Sequence, residues 1–216
     1  MCGRFTLSDP NDAMAALFRA QPDNDLPPVP QYNVCPTQSV PVVTAQAAAR
    51  RMQAMRWGFV PSWAKRLTEG PLIINARAET VAEKPAFREA IRARRCLLPV
   101  SGFYEWQAGP DGARLPWYFT RRDGQPMVFA ALWQPWGGYN TVAMVTTAAG
   151  EGMAGVHDRE PVILEPADWP LWLGEAGHGA ARLMRASQGV LHAHRVGVAV
   201  NSNRAAGPEL IVKIDA

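Results

Sequence analysis

The sequence predicts an α+β fold, in which a single sheet-dominated domain over residues 1–216 is barrel-like, mostly antiparallel and flanked by a few peripheral helices. Three observations support this prediction. Short β-rich segments separated by Gly, Pro or Asp fill the second half of the chain. Few segments have helical periodicity, and no repeat, linker or shift in composition divides the 216 residues. A chain of this length with 48% hydrophobic residues can bury a sizeable core.

The first half of the chain predicts one short helix, two strands and a basic helix. Asp9 or Asn11 can cap the first helix. Its apolar face carries Met14, Leu17 and Phe18. A proline-rich loop at 22–30 comes next. Two strands at 40–43 and 51–57, joined by an alanine-rich turn, follow it. An irregular stretch at 58–71 and the basic helix at 83–95 complete this half.

The second half predicts mostly strands. Five of them lie at 96–99, 102–107, 117–120, 127–133 and 141–146. Hairpin turns are expected at 109–112 and 123–124. The remaining elements are a strand at 162–164, a helix at 166–172 that begins at Pro166, a second helix at 180–186 and a final strand at 195–200.

The charge and the cysteine count exclude several classes of protein. A net charge of +3 is too small for binding by bulk electrostatics. Only three of the 22 basic residues are lysines, which fits either phosphate recognition by arginine or a GC-rich genome. Cys2, Cys35 and Cys96 form no CxxC pair, so we expect no disulfide framework, metal or cofactor. Without a leader or an apolar run of about 20 residues, a cytoplasmic protein is predicted.

The most informative position is Cys2. Initiator methionine is usually removed before a small residue, which leaves Cys2 with a thiol and a free α-amine, whose ordinary pKa values are about 8.5 and about 7.7–8.0. With an aldehyde the amine forms an imine, and the thiol then closes a thiazolidine ring. With an acyl substrate the same group is an N-terminal nucleophile. An ordinary cysteine that happens to follow methionine is the structural alternative.

Three further segments place polar residues beside apolar strands. Asn75 and Arg77 are two residues apart and point to one side of an extended chain. Glu105 lies among aromatic residues, which suits a carboxylate to acid/base work, although a structural ion pair is the alternative. His157 and Arg159 precede an apolar strand, where His157 alone is typical of a turn. Phosphate-binding glycine loops, HExxH and GxSxG do not occur in the sequence.

Together these segments resemble the SOS-response-associated peptidase (SRAP) family, over essentially the whole chain. The motifs that carry the resemblance are, in order, Met1-Cys2-Gly3-Arg4-Phe5, Tyr32-Asn33-Val34-Cys35-Pro36-Thr37, Trp57-Gly58, Ile74-Asn75-Ala76-Arg77-Ala78-Glu79-Thr80, Gly102-Phe103-Tyr104-Glu105-Trp106, His157-Asp158-Arg159, Pro161-Val162-Ile163-Leu164 and Pro208-Glu209-Leu210-Ile211. Cys35 replaces a frequent alanine and is expected to be a packing residue. Glu160 replaces a methionine or basic residue, which predicts a slightly less cationic groove.

The resemblance implies an activity in the DNA damage response. Family members recognise abasic sites in single-stranded DNA and crosslink to them through the N-terminal cysteine, which shields the lesion. The implied catalytic residues are Cys2, Asn75, Glu105 and His157. Glu105 is assigned proton handling at Cys2, and His157 the sugar oxygen. Asn75 is expected to hold the amine or the sugar.

The implied partner is single-stranded DNA containing an abasic site, bound by a monomer that associates with the nucleoid. The predicted DNA-binding residues are Arg4, Asn33, Trp63, Arg77, Thr146 and Arg159. The arginines would bind phosphates and Trp63 would stack on a base. Trp57 is a second stacking candidate but has the character of a core residue.

Two other functions stay open at this point. Glutamine amidotransferases also begin Met-Cys-Gly, so an N-terminal-nucleophile amide hydrolase is possible, although such enzymes need a longer chain. Within the family, a peptidase activity limited to Met1 or a lyase-like activity is the related alternative. The third possibility is a non-covalent reader of modified or single-stranded DNA in which Cys2 is incidental.

Overall fold

The computed structural model describes residues 2–46 and 49–215, and it confirms the sheet-dominated α+β class. The strands in this part of the chain are β1 (Phe5–Leu7), β2 (Ala20–Pro22), β3 (Gln31–Val34), β4 (Ser39–Gln46), β5 (Ala49–Trp57), β6 (Asn75–Arg77), β7 (Arg95–Val100), β8 (Gly102–Ala108), β9 (Arg114–Arg121), β10 (Met127–Trp136), β11 (Tyr139–Ala148), β12 (Arg159–Pro161) and β13 (Leu191–Arg195). The α-helices are α1 (Asn11–Phe18), α2 (Arg88–Ala93) and α3 (Trp169–Leu173). No helix in the described ranges is long and apolar enough to cross a membrane.

One sheet closes into a five-stranded barrel, as the sequence predicted. Its strands follow one another in the order β5, β4, β7, β10 and β11, and every neighbouring pair is antiparallel. β11 then returns to β5 in parallel, with Thr141 opposite Arg56 and Val142 opposite Trp57. β6 and β12 lie along the later part of β11, which brings Asn75 and Arg159 into the same region.

The second sheet has the order β13, β9, β8, β1 and β3, and all its pairs are antiparallel. β1 is only three residues long. The last backbone bond from β8 to the N-terminal segment, within the described residues, is donated by Tyr104 N to Arg4 O. Beyond Tyr104, no strand of the described residues pairs with this edge of β8.

Both faces of β10 are buried, because alternate side chains of a strand point to opposite sides. Val128 and Ala130 pack in one hydrophobic cluster with helical residues such as Trp172. Phe129 faces the second sheet, where its ring meets Phe103 edge-on at 5.6 Å between centroids. β10 therefore packs with helical residues on one face and with residues of the second sheet on the other.

The two predicted helices of the first half differ from the observed ones. In α1 the buried residues are Met14, Ala15 and Phe18, whereas Leu17 is exposed. Pro10 precedes the helix and no side chain caps it; the amide of Asn11 donates to Pro27 O instead. The basic helix is reduced to α2, because turns occupy 79–87 and β7 already begins at Arg95. The centre of the alanine-rich turn, at 47–48, lies outside the described residues.

Four predictions in the second half differ from the observed structure. The turn at 123–124 makes no hairpin, because β9 pairs with β8 and β13 while β10 pairs with β7 and β11, so this turn connects the two sheets. The strand expected at 162–164 lies earlier, as β12. The final strand lies at 191–195 rather than 195–200, where the chain turns into a 3₁₀ helix with Val198 exposed. The helix predicted at 180–186 is a shorter 3₁₀ helix over 180–183.

Candidate active site

A cleft of about 500 Å³ opens beside the free edge of β8. Glu105 and His157 both line it, together with Gly3 and Arg4 of the N-terminal segment. Because the edge of β8 has no neighbouring strand here, residues from both faces of the second sheet border the same space. Two residues that sequence reasoning placed in separate motifs therefore meet at one cleft.

Cys2 directly precedes Gly3, which lines this cleft, and is only 1% exposed. Its Sγ is 3.9 Å from the carbonyl oxygen of Arg4. Its own carbonyl oxygen accepts a hydrogen bond from Asn75 Nδ2 at 3.1 Å. Asn75 belongs to β6, so the barrel holds the N-terminal segment in place through this amide. The Oδ1 atom of Asn75 is buried and has no hydrogen-bond partner among the described residues.

The Cys2 thiol is neutral in this environment. Burial raises its pKa well above the ordinary value, and the negative charge of Glu105 raises it further. Glu105 is itself 2% exposed, and its Oε2 accepts a hydrogen bond from Trp106 N at 3.4 Å. The carboxylate is thus close enough for its charge to act on the thiol, although Cys2 precedes β1 and Glu105 lies in β8.

His157 ends a turn and makes two contacts through Nδ1. This nitrogen accepts a hydrogen bond from Arg159 N at 2.9 Å, and it lies 2.9 Å from Asp158 Oδ1. Nδ1 cannot accept from an N–H and donate to a carboxylate at the same time. The neutral ring therefore carries its proton on Nε2, whereas the protonated ring pairs with Asp158. The turn itself is fixed by the bond from His157 N to Met153 O at 3.0 Å.

Arg159 is held by a carboxylate and by a neighbouring strand. Its guanidinium makes a bidentate pair with Glu79, at 2.7 and 2.9 Å, and also donates to Thr146 O at 2.8 Å. The hydrogen bond from Arg159 to Glu79 lowers the pKa of the Glu79 carboxyl to about 2. Arg77, in contrast, is exposed and makes no ion pair within the part of the chain that the structure describes.

Asn33 and Thr146 are both buried in this structure, and their assignment as DNA contacts stays a prediction. Asn33 Oδ1 accepts from Arg4 Nη1 at 2.8 Å, while its Nδ2 donates to Ser202 O and Ala205 O. Thr146 Oγ1 lies 3.4 Å from Arg159 Nη2. Each of these two polar residues holds an arginine rather than facing the cleft.

The tryptophans divide as the sequence suggested. Trp63 is 59% exposed, which confirms the expectation that it lies on the surface. Trp57 is fully buried and donates from Nε1 to Ile74 O, so it belongs to the core and is not available for stacking.

The remaining cysteines and Glu160 have structural surroundings. Cys35 is buried and packs as expected, and burial raises the pKa of its thiol. Cys2, Cys35 and Cys96 are all free thiols. Glu160 does not face a groove, contrary to the expectation, because it is 1% exposed and bonds to Gly150 and Ser187. No group of three or more His, Cys, Asp or Glu suited to a metal occurs among residues 2–46 and 49–215.

Sequence reasoning missed Trp106 and Arg114, which both line the cleft. The signal was present in the hairpin predicted at 109–112. Strand pairing across that turn brings 106 and 114 to the same face of the sheet, and a cation beside an indole is a recognisable pair.

A closed barrel with a flanking sheet carries a buried cysteine beside an asparagine and a glutamate, which is the arrangement expected from the resemblance to the SRAP family. The family model described as SOS response associated peptidase (SRAP) matches residues 1–203, and the chain belongs to this family.

Named relatives cover nearly the full length of the chain. Abasic site processing protein YoqW of Bacillus subtilis (strain 168) is 34% identical, over 98% of this chain and 99% of its own length. Abasic site processing protein YedK of Escherichia coli (strain K12) is 30% identical over the same shares. Abasic site processing protein HMCES of Rattus norvegicus is 27% identical, over 100% of this chain and 76% of its own.

Solved structures share the fold. A protein from Bacteroides thetaiotaomicron superposes with a TM-score of 0.86 at 24% identity, covering 99% of this chain and 100% of that one. A phage-related protein from Bordetella bronchiseptica gives a TM-score of 0.72 at 26% identity, over 90% and 94% of the two chains.

Proposed function

We propose that this protein processes abasic sites in single-stranded DNA by forming a covalent thiazolidine crosslink through Cys2, after removal of Met1. The observation that carries the proposal is the buried Cys2, held by Asn75 and acted on by the charge of Glu105, which lines an open cleft together with Gly3. The names of the relatives, abasic site processing proteins, support the choice of substrate.

The crosslink is a condensation that releases one water. The ring-opened abasic sugar presents an aldehyde at C1′. The Cys2 amine adds to C1′, and the resulting carbinolamine loses water to give an imine. Sγ then bonds to the imine carbon, and the thiol proton passes to the imine nitrogen. Neither oxidant nor cofactor is needed, because no atom changes its oxidation level: C1′ exchanges its two bonds to oxygen for one bond to nitrogen and one to sulfur.

Glu105 handles protons at Cys2. Since burial and this carboxylate keep the thiol neutral, the amine is the first nucleophile and the thiol acts second. Glu105 takes a proton from the amine as the carbinolamine forms, and returns one when water leaves. It then relays the thiol proton during ring closure.

His157 acts at the sugar. In the neutral ring the bond from Arg159 N to Nδ1 leaves the proton on Nε2, which donates to the sugar oxygen as the ring opens. Asn75 positions Cys2 through its carbonyl oxygen, and its unpaired Oδ1 is available to the free amine.

The DNA strand is bound by exposed cations and one aromatic residue. Arg77, two residues beyond Asn75 on β6, offers its guanidinium to a phosphate, and Trp63 offers its ring to a base. Arg4, which lines the cleft, and Arg159, in β12, are the further candidate contacts, with Asn33 and Thr146 holding their guanidinium groups. One protein molecule forms the adduct with one abasic site, so a monomer suffices. The protein acts in the cytoplasm and associates with the nucleoid when it is bound to DNA.

The proposal is tested with single-stranded DNA carrying one abasic site. Wild type forms a heat-stable band of raised mass, whereas intact DNA gives none. Cys2→Ala keeps an amine that borohydride can trap as an imine adduct, but it forms no heat-stable band without reductant. If Cys2→Ala and wild type give the same heat-stable band, the thiazolidine proposal is wrong.

A single-residue insertion provides the matched control for the amine. Alanine inserted between Met1 and Cys2 preserves the thiol but converts the amine of Cys2 into a peptide nitrogen. We expect this variant to lose the crosslink. Intact-protein mass spectrometry of wild type and Cys2→Ala also reports whether Met1 is removed, and whether its removal requires Cys2, as a peptidase activity of the protein on itself demands.

A further inference from the structure

Arg114 and Trp106 form a pair at the mouth of the cleft that has no part in the chemistry at Cys2. In the β8–β9 hairpin, Trp106 is opposite Pro116 and Ala108 is opposite Arg114. Trp106 and Arg114 are therefore diagonal neighbours on one face, within reach of long side chains. The Cζ atom of Arg114 lies 4.8 Å from the centroid of the Trp106 ring. Both residues line the cleft that Glu105 and His157 also border.

The indole is fixed from its other edge. Trp106 Nε1 donates to Asn201 Oδ1 at 2.6 Å, which anchors the ring against the 3₁₀ helix at 198–201. A cation stacked on an anchored ring loses less conformational freedom on binding a ligand than a free arginine does. The platform thus holds the guanidinium at one place in the cleft.

The stacked guanidinium keeps its donors available. A cation–π contact uses the face of the guanidinium, whereas phosphate is bound by the N–H groups along its edge. Arg114 is exposed and pairs with no carboxylate in the described ranges. Arg4 also lies near this ring, with its Cζ 5.8 Å from the centroid, but its guanidinium already donates to Asn33, Val200 and Asn203.

We propose that Arg114, positioned by Trp106, binds a backbone phosphate of the DNA strand next to the captured nucleotide. This inference rests on the proposed function and adds a second anchoring point to its site. The open edge of β8 lets one strand place its abasic sugar at Glu105 and the adjoining phosphate at Arg114. A phosphodiester is the ligand because the planar fork of N–H donors on a guanidinium matches the oxygens of a phosphate, which are the same at every sequence.

The test compares Arg114→Ala with Arg122→Ala, a matched control that removes an exposed arginine just beyond the other end of β9. Crosslinking is followed against the concentration of abasic DNA at several salt concentrations. We expect Arg114→Ala to raise the half-saturating DNA concentration about tenfold. The crosslinking rate at saturating DNA should not change. The salt slope, which is the slope of log affinity against log salt concentration, should decrease in magnitude by about one unit.

Two further variants separate positioning from charge. Trp106→Leu keeps the cation and removes its platform, so it raises the half-saturating concentration while changing the salt slope less than Arg114→Ala does. Arg114→Lys restores the salt slope but only part of the affinity, because lysine lacks the planar fork. Thermal unfolding verifies that each variant is folded.

The outcomes distinguish this inference from the proposed function. If wild type crosslinks and Arg114→Ala behaves like Arg122→Ala, the phosphate site is wrong. A loss confined to the saturating rate overturns it as well, since Arg114 then acts on the chemistry. If wild type forms no adduct, the proposed function fails, and fluorescence anisotropy with single-stranded DNA still compares the two variants. Equal affinities in that measurement also reject the site.

Discussion

Glu160 shows how a buried carboxylate organises a loop that carries a predicted catalytic residue. Its Oε2 accepts from Gly150 N at 2.8 Å, and its Oε1 accepts from Ser187 N and Oγ at 2.6 and 3.0 Å. Gly150 begins the turn that leads through Met153 to His157. Three donors therefore compensate for the burial of this carboxylate.

Replacing Glu160 tests the importance of that loop anchor. In Glu160→Gln the amide presents N–H groups to donors, so we expect a loss of about 1–3 kcal/mol in the free energy of unfolding. Ser187→Ala removes only the hydroxyl contact and should cost about 1 kcal/mol or less. Urea denaturation measures both. A Glu160→Gln protein as stable as wild type would show that the anchor contributes nothing.

The pair of Glu79 with Arg159 predicts a pH dependence of stability. The folded-state pKa of Glu79 is lowered from 4.5 to about 2, chiefly by the Arg159 hydrogen bond. A lowered carboxyl pKa stabilises the fold above pH 4.5, and this contribution is lost as the pH falls towards 2. Because the pair is partly exposed, the effect should stay below about 1 kcal/mol.

Glu79→Gln measures that contribution. The difference in melting temperature between wild type and this variant should be largest at about pH 6 and should shrink towards pH 2. Equal differences at both ends of the range contradict the assignment of the acid dependence to this pair.

At the scale of elements, Arg95 joins two helices to the barrel. Its Nη1 donates to Ile91 O and Arg92 O at the end of α2, and its Nε donates to Trp172 O in α3. Carbonyls at the end of a helix have no partner within the helix, so this cation satisfies both termini.

We expect Arg95→Ala to lower the free energy of unfolding by about 1–3 kcal/mol. Arg92→Ala, at an exposed position of α2, is the matched control and should change stability by less than about 0.5 kcal/mol. Chemical denaturation compares the two. Similar losses in both variants would mean that α2 propensity, rather than the bridging contacts, is responsible.

Strands were predictable from sequence where local pattern and pairing agree. The segments that became β7, β8, β10 and β11 alternate or run apolar between turn residues, and their positions were predicted within a few residues. The turn at 123–124 has the local chemistry of a hairpin, but the partner of each strand is decided by the two sheets. The short distance along the chain between β9 and β10 does not show that the two strands pair with other partners.

The candidate site was predictable in composition but not in geometry. Cys2, Glu105 and His157 stood out by position and neighbours, and the family resemblance joined them. The burial of Asn33 and Thr146 depends on the chain at 198–205 and on Arg159, which fold back from distant parts of the sequence. Residue type alone cannot distinguish a polar group that binds DNA from one that holds an arginine.

For the whole molecule, the decisive feature is the seam that closes the barrel. Thr141 is fully buried there. Its hydroxyl accepts from Val60 N and donates to Gln134 O, both at 3.0 Å, so one side chain connects the chain after β5 with β10.

Thr141→Val keeps the shape of this side chain and removes both bonds. We expect it to lower the free energy of unfolding by about 1–3 kcal/mol, because a buried donor and acceptor lose their partners. Thr141→Ser keeps the hydroxyl and separates this effect from the loss of a methyl group. If valine is tolerated better than serine, packing rather than hydrogen bonding closes the seam.

The net charge of +3 acquires a physical meaning at this scale. Covalent capture needs only modest prior affinity, so a few well-placed guanidinium groups suffice where a non-covalent binder needs a broad cationic surface. In our proposal the exposed cations Arg77 and Arg114 meet that need.

The central claim is that Cys2 captures the abasic aldehyde with both its amine and its thiol. The most direct measurement is tandem mass spectrometry of the proteolysed adduct with abasic single-stranded DNA. The account predicts a modified N-terminal peptide in which Cys2 carries the sugar with the loss of one water and no longer reacts with a thiol alkylating reagent. An adduct on any other residue, or a Cys2 thiol that remains free to alkylate, would contradict it.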